Sequence, residues 1–128
     1  MPYIDLLVHP TVTPAQAAML SDGITDALVA TLGKRREVTA VRIAEAAAAR
    51  WSIGGEATRD TTAYLDVKIT AGSNTDEEKA ALVKRLHALL SDTLGGLAEA
   101  SYTVIHELPA GNWGYAGVTR AARRRGAP

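Results

Sequence analysis

The sequence predicts an α+β domain made of two tandem β-α-β units that share one four-stranded sheet, with both helices on one face. Three observations carry this. Short apolar/polar alternations recur as strand signatures, capped helices with matching apolar stripes recur between them, and two tryptophans with trailing glycines stand at the same distance apart as the helices. The third is informative because tryptophan is rare here: two in 128 residues, with no phenylalanine.

The opening strand runs from Pro2 to Val8. Ile4, Leu6 and Val8 alternate with Tyr3, Asp5 and Leu7, so one face is apolar throughout. His9 to Val12 is a turn. Thr13-Pro14-Ala15-Gln16 starts a helix: threonine caps, proline takes the first helical position, and glutamine three residues on closes a capping box. Leu20, Ile24, Ala27, Leu28 and Leu32 then fall on one helical face, and Gly33 ends the helix. Lys34-Arg35-Arg36 connect to a second strand over Val38–Glu45, with Val41 and Ile43 on one face and Ala40 and Arg42 on the other. An alanine run and Arg50-Trp51-Ser52-Ile53-Gly54-Gly55 follow.

The same grammar then repeats. Ala63 to Ile69 echoes Pro2 to Val8. Thr75 and Glu78 form a second capping box, and Leu82, Leu86, Leu89, Leu90 and Leu94 repeat the stripe 62 residues on. Gly95 matches Gly33, Glu107 matches Glu45, Trp113 matches Trp51 and Gly117 matches Gly55. One residue is inserted near Ser73 and Asn74. Agreement among pattern, caps and rare residues marks a duplication, with repeats over residues 2–60 and 61–119. A strand, a crossover helix and a strand make a parallel pair. A two-layer domain leaves one sheet face open, so the face carrying Tyr3, Leu7 and Tyr64 is expected to be buried in an oligomer. The tail 120–128 is basic, low in apolar content and expected to be mobile.

Composition narrows the function classes. Charge is balanced at 14 basic and 14 acidic residues, which gives no global bias toward nucleic acid or an anionic membrane. There is no cysteine, hence no disulfide and no thiolate nucleophile. The three histidines lack ligand spacing. Apolar runs are too short to span a bilayer and the start does not read as a signal peptide, so a soluble cytoplasmic protein is expected. The most unusual chemical feature is Pro2. Removal of Met1 would leave a secondary amine at the chain start. An α-amino group titrates near ~7.7–8.0, and burial or a neighbouring cation lowers that value toward a pH where it can act as a base.

These residues together resemble the tautomerase superfamily, and 4-oxalocrotonate tautomerase in particular. The Met-Pro start, a β-α-β unit of this length, and the ending Glu-x5-aromatic-x3-Gly at Glu45/Trp51/Gly55 and at Glu107/Trp113/Gly117 carry the resemblance, which covers residues 2 to about 119. Two units in one chain resemble the fused members. The resemblance implies a homotrimer, a general base at Pro2, a small carboxylate substrate such as a 2-hydroxydienoate or the enol of a 2-keto acid, and no metal or organic cofactor. It implies anion-binding arginines and an aromatic pocket wall. Trp51 and Trp113 fit the wall. The loop-arginine position holds Val12 in one half and Ser73 or Asn74 in the other. The strand arginine maps to Ala40 at fixed spacing, or to Arg42 with a two-residue slip that preserves its face. Arg42 is therefore the expected anion binder, with Arg35 and Arg36 in reserve, and Tyr102 is a further candidate to bind substrate. Dehalogenase, hydratase or decarboxylase chemistry at the same proline is the alternative, as is a non-catalytic trimeric binding protein that uses the basic tail. Neither nucleic acid nor membrane is an expected partner.

Overall fold

Alternation in the first strand becomes burial. The computed structural model describes residues 2–126. Strand β1 (Tyr3–His9) buries Ile4, Leu6 and Val8 beneath the helices and turns Tyr3, Asp5 and Leu7 to the other face. Helix α1 (Pro14–Leu32) starts at the expected box: Thr13 Oγ1 accepts from the Gln16 amide at 3.1 Å, and Gln16 Oε1 accepts from the Thr13 amide at 2.9 Å. Its buried residues are the predicted stripe, Leu20, Ile24, Ala27, Leu28 and Leu32. Helix α2 (Asp76–Leu94) repeats the arrangement with Thr75 and Glu78, and Leu82, Leu86 and Leu90 are its buried residues. The helices lie against each other so closely at Gly23 that a β-carbon there would meet Leu89 Cδ1 at 2.8 Å.

Beneath the helices lies one sheet in the order β2-β1-β5-β6, with β2 (Ala40–Glu45), β5 (Thr62–Thr70) and β6 (Tyr102–Leu108) completing it. The pairs β1/β2 and β5/β6 are parallel, one per repeat, and β1/β5 joins the repeats antiparallel. Asp5 lies opposite Asp66 at that junction, which puts a local two-fold axis between them. The expected α+β architecture is thus the observed one.

Three segments differ from expectation. The second strand begins at Ala40, because Arg36–Val38 make a 3₁₀ turn. Thr39 Oγ1 donates to the Arg35 carbonyl at 2.6 Å, a local hydrogen bond that competes with the sheet. The Trp/Gly segments are small hairpins, β3 (Ser52–Ile53) with β4 (Glu56–Ala57) and β7 (Gly114–Tyr115) with β8 (Val118–Thr119). Their two-residue turns need positive φ at both positions. Gly54 and Gly55 supply it in one, Ala116 (φ 52°) and Gly117 in the other.

The tail over 120–126 is docked rather than loose, while residues 127–128 lie outside the described residues. Helix α3 (Arg120–Arg124) is capped by Thr119 Oγ1, which accepts from the Ala122 amide at 3.0 Å. Arg123 sits 3.9 Å over the Tyr115 ring and donates to its carbonyl at 2.9 Å. Stacking the guanidinium on an aromatic face fixes this turn without apolar burial. No helix among the described residues is long and apolar enough to cross a membrane.

Acid stability follows from two carboxylates. Lys79 Nζ donates to Glu107 at 2.7 Å, and this bond foremost holds the Glu107 carboxyl below its ordinary range. The Thr75 amide does the same for Glu78. A folded pKa below the unfolded one stabilises the native state above the unfolded value and is lost as pH falls through the folded value. The urea midpoint is therefore expected to drop between about pH 6 and about pH 3. Glu107→Gln should flatten part of that drop, and both effects should be modest because the groups are solvent-screened.

Candidate active site

Strand direction decides which residues meet at each end of the sheet. The Ala40 amide donates to the Pro2 carbonyl at 3.3 Å, so Pro2 lies beside the start of β2. The antiparallel pairing Tyr3↔Lys68 brings the end of β5 to the same place, and parallel β6 ends there at Leu108. Pro2 itself is buried. The opposite end collects His9, Ala63, Tyr102 and the β3–β4 hairpin.

A cavity of about 220 Å³ opens at the Pro2 end. Lys34 and Arg35 enter it from the loop after α1, Thr70 and Ser73 from the end of β5, Tyr115 from the β7–β8 hairpin and Arg120 from α3. Among the described residues that line it none is acidic. Lys34 Nζ donates to Ser73 Oγ at 2.9 Å, and Ser73 Oγ donates to the Thr70 carbonyl at 2.5 Å. Arg35 reaches Tyr115 Oη at 3.4 Å and Glu37 at 3.6 Å. Burial foremost, then the charge of Arg120, holds the Lys34 ammonium below its ordinary pKa. Thr70 Oγ1 and Arg120 Nε are buried without a hydrogen-bond partner. A cationic lining of this kind is complementary to an anion.

The duplicated architecture supplies an internal control. Arg120 donates its amide to the Trp113 carbonyl at 3.0 Å as Thr58 does to the Trp51 carbonyl at 2.9 Å, so the two ends are built alike. At the Ala63 end, Gly96, Leu97 and Thr58 stand where Lys34, Arg35 and Arg120 stand at the other. The cavities there are lined by Asp60 and Glu99. Ala63 nitrogen is a peptide amide that donates to Ser101 Oγ at 3.2 Å, which removes it as a base. Since the fold forms at both ends, it does not require the cationic cluster.

The residues expected from sequence divide between these places. Arg35 lines the cavity at the Pro2 end. Arg42 does not, within this chain. It lies opposite Asp5 in the middle of the helix-free face and donates Nε to Asp5 at 2.7 Å. That face also carries Lys68 and His106 on Asp66, at 2.9 and 3.3 Å. Arg36 turns outward to pair with Asp26. Trp113 belongs to the hairpin at the Pro2 end and its indole Nε1 is buried without a partner, but the aromatic ring in the cavity is that of Tyr115. Trp51 packs edge-on against His9 at the far end, centroids 6.1 Å apart. Tyr102 is also at that end and 57% exposed. Sequence reasoning gave none of Lys34, Ser73, Tyr115 and Arg120 a place in the site: Ser73 stood only at the missing loop-arginine position and Arg120 only in the basic tail. The available signals were Lys34 directly behind a glycine cap and Thr119 placed to cap a final turn.

The domain thus has two layers, a buried proline at the head of its first strand and a cation-lined cavity at the same end of the sheet. The family model described as tautomerase enzyme matches residues 2–61 and again 64–123, and the chain belongs to that family. The probable tautomerase K2 of Dickeya dadantii (strain 3937) is 38% identical over 62 residues, 48% of this chain and 92% of that protein. A solved fused 4-OT, a wild-type symmetric trimer, is 27% identical with a TM-score of 0.86, covering 94% of this chain and 98% of its own. A macrophage migration inhibitory factor-like protein from Entamoeba histolytica, at 20% identity and TM-score 0.77 over 92% of this chain and 97% of its own, shares the fold. Family membership supports an isomerase enzyme of the tautomerase type.

Proposed function

We propose that this chain is a cofactor-independent tautomerase in which the Pro2 amine, freed by loss of Met1, moves a proton on a 2-hydroxydienoate or the enol of a 2-keto acid. The observation that supports this reading is a buried strand-head proline at the same end of the sheet as a cavity whose described lining, which does not include Pro2, holds three cations and no acid. Pro2 nitrogen takes the enol hydroxyl proton. The oxygen becomes a carbonyl as the double bond shifts along the chain, and the same nitrogen returns the proton to the distal carbon. Lys34 and Arg35 hold the carboxylate and the oxygen on which charge develops, and they do so in a partly dry site where such contacts are strong. Lys34 and Arg120 also disfavour a second positive charge nearby, which keeps a neighbouring amine neutral and basic at working pH.

Hydration or dehalogenation would need a carboxylate to activate water. The described lining of the cavity offers none, which favours tautomerisation over those chemistries. The test is turnover of 2-hydroxymuconate and phenylenolpyruvate by protein whose mass shows that it begins at Pro2. Failure to turn over any enol by such protein would overturn the reading.

The helix-free face supports a homotrimer. Leu7 is 37% exposed there although it lies in a central strand, and the solved fused 4-OT named above is a symmetric trimer. Light scattering on the purified chain is expected to give three times the monomer mass, and Leu7→Asp should shift it toward monomer by placing a charge in a desolvated interface. A monomeric wild type would remove this part of the proposal.

A further inference from the structure

The mechanism above gives the C-terminal turn no contact with the substrate, yet the turn is built into the cavity. Its entry is fixed by the Thr119 cap and by the Ala121 amide, which donates to the Ala110 carbonyl at 2.8 Å. Its exit is fixed by Arg123, stacked on Tyr115 and bonded to that residue's carbonyl. Between these anchors Arg120 lines the cavity, with a buried Nε that has no partner. Lys34, Arg35 and Arg120 meet at one cavity without a lining carboxylate, Glu78 and Glu107 offset the charge on Lys34 only in part, and the equivalent position Thr58 shows that the backbone does not demand an arginine. A charge that the backbone does not demand is explained by a ligand that neutralises it.

We infer that Arg120 binds the carboxylate of the substrate together with Lys34, and that Arg123, clamped on Tyr115, is the residue that positions it. This rests on the Pro2 cavity being the active site, but not on Pro2 being the base. Arg120 presents a planar fork that can meet a carboxylate with two parallel hydrogen bonds, which a lysine at the same place cannot. Arg123 does not touch the ligand. It fixes the hairpin to α3 and so sets where the fork points.

The test separates binding from turnover by using fumarate, an unreactive carboxylate, as the titrant in calorimetry, alongside enol turnover. Wild type is expected to bind fumarate saturably. Arg120→Ala should weaken that binding by roughly 10- to 100-fold, the equivalent of one charge-assisted contact, and should raise KM more than it lowers kcat. Arg120→Lys should recover part of the loss. Arg123→Ala should weaken binding less, and Arg123→Lys, which keeps the cation over Tyr115, should restore most of it. Thr119→Ala, which loosens α3 without touching charge, should also weaken binding. Pro2→Ala should bind fumarate as wild type does, so a failure of the proline assignment would appear in turnover alone. The inference is overturned if wild type shows no saturable fumarate binding, or if Arg120→Ala binds as tightly as wild type.

Discussion

Pro2→Ala is expected to lower kcat on an enol substrate by about 10²-fold or more while the urea midpoint stays close to that of wild type. Alanine at this position would still allow Met1 to be removed, so an amine remains. What changes is its character. The pyrrolidine ring fixes the backbone torsion and holds the nitrogen in one orientation, whereas a primary amine on a freely rotating terminus samples many. Geometry of this kind is worth orders of magnitude in a proton transfer, because the base must sit within hydrogen-bond reach of the proton it takes. The measurement is the initial rate of ketonisation followed by the loss of enol absorbance, with mass spectrometry confirming the amino terminus of both proteins. Equal rates would take the proline out of the mechanism and leave the cation cavity as a binding site.

Leu65→Ala is expected to destabilise the fold by about 2–5 kcal/mol. Leu65 is fully buried on β5, the strand that joins the two repeats, and lies opposite Leu6 in the antiparallel pair. Truncation there leaves a cavity beneath both helices at once, because the core residues of the two halves form one cluster. A loss of that size is a large fraction of the ~5–15 kcal/mol that holds a domain together. A urea titration monitored by tryptophan fluorescence would read it. A shift below about 1 kcal/mol would mean that the repeats carry separate cores.

The contrast between what could and could not be foreseen is physical. Helix stripes, capping boxes and the Gly33 and Gly95 ends depend on residues within a few positions of one another, so Leu20 through Leu32 and Leu82 through Leu94 announce themselves. The duplication was legible because rare residues such as Trp51 and Trp113 repeat at the same interval as those stripes. The cavity was not. Lys34, Thr70 and Arg120 meet only because β1 and β5 run antiparallel in one register, a fact with no local signal. Arg42, the choice that the family resemblance gives ahead of Arg35 and Arg36, fails for a related reason: its strand and face are legible, but its partner Asp5 lies on a neighbouring strand whose register is not. The basic tail looked like a solvated end because its anchors, Tyr115 and the Ala110 carbonyl, are supplied by the hairpin before it.

The axis between Asp5 and Asp66 has an evolutionary consequence. In an assembly of identical single units, every substitution appears at all symmetry-related places together, and a change that improves one pocket alters its twin. Joining the units frees each half to mutate alone. The two poles of this chain differ accordingly: one carries Lys34, Arg35 and Arg120 at the proline end, and the other carries Gly96, Leu97 and Thr58 at the same positions of the shared scaffold.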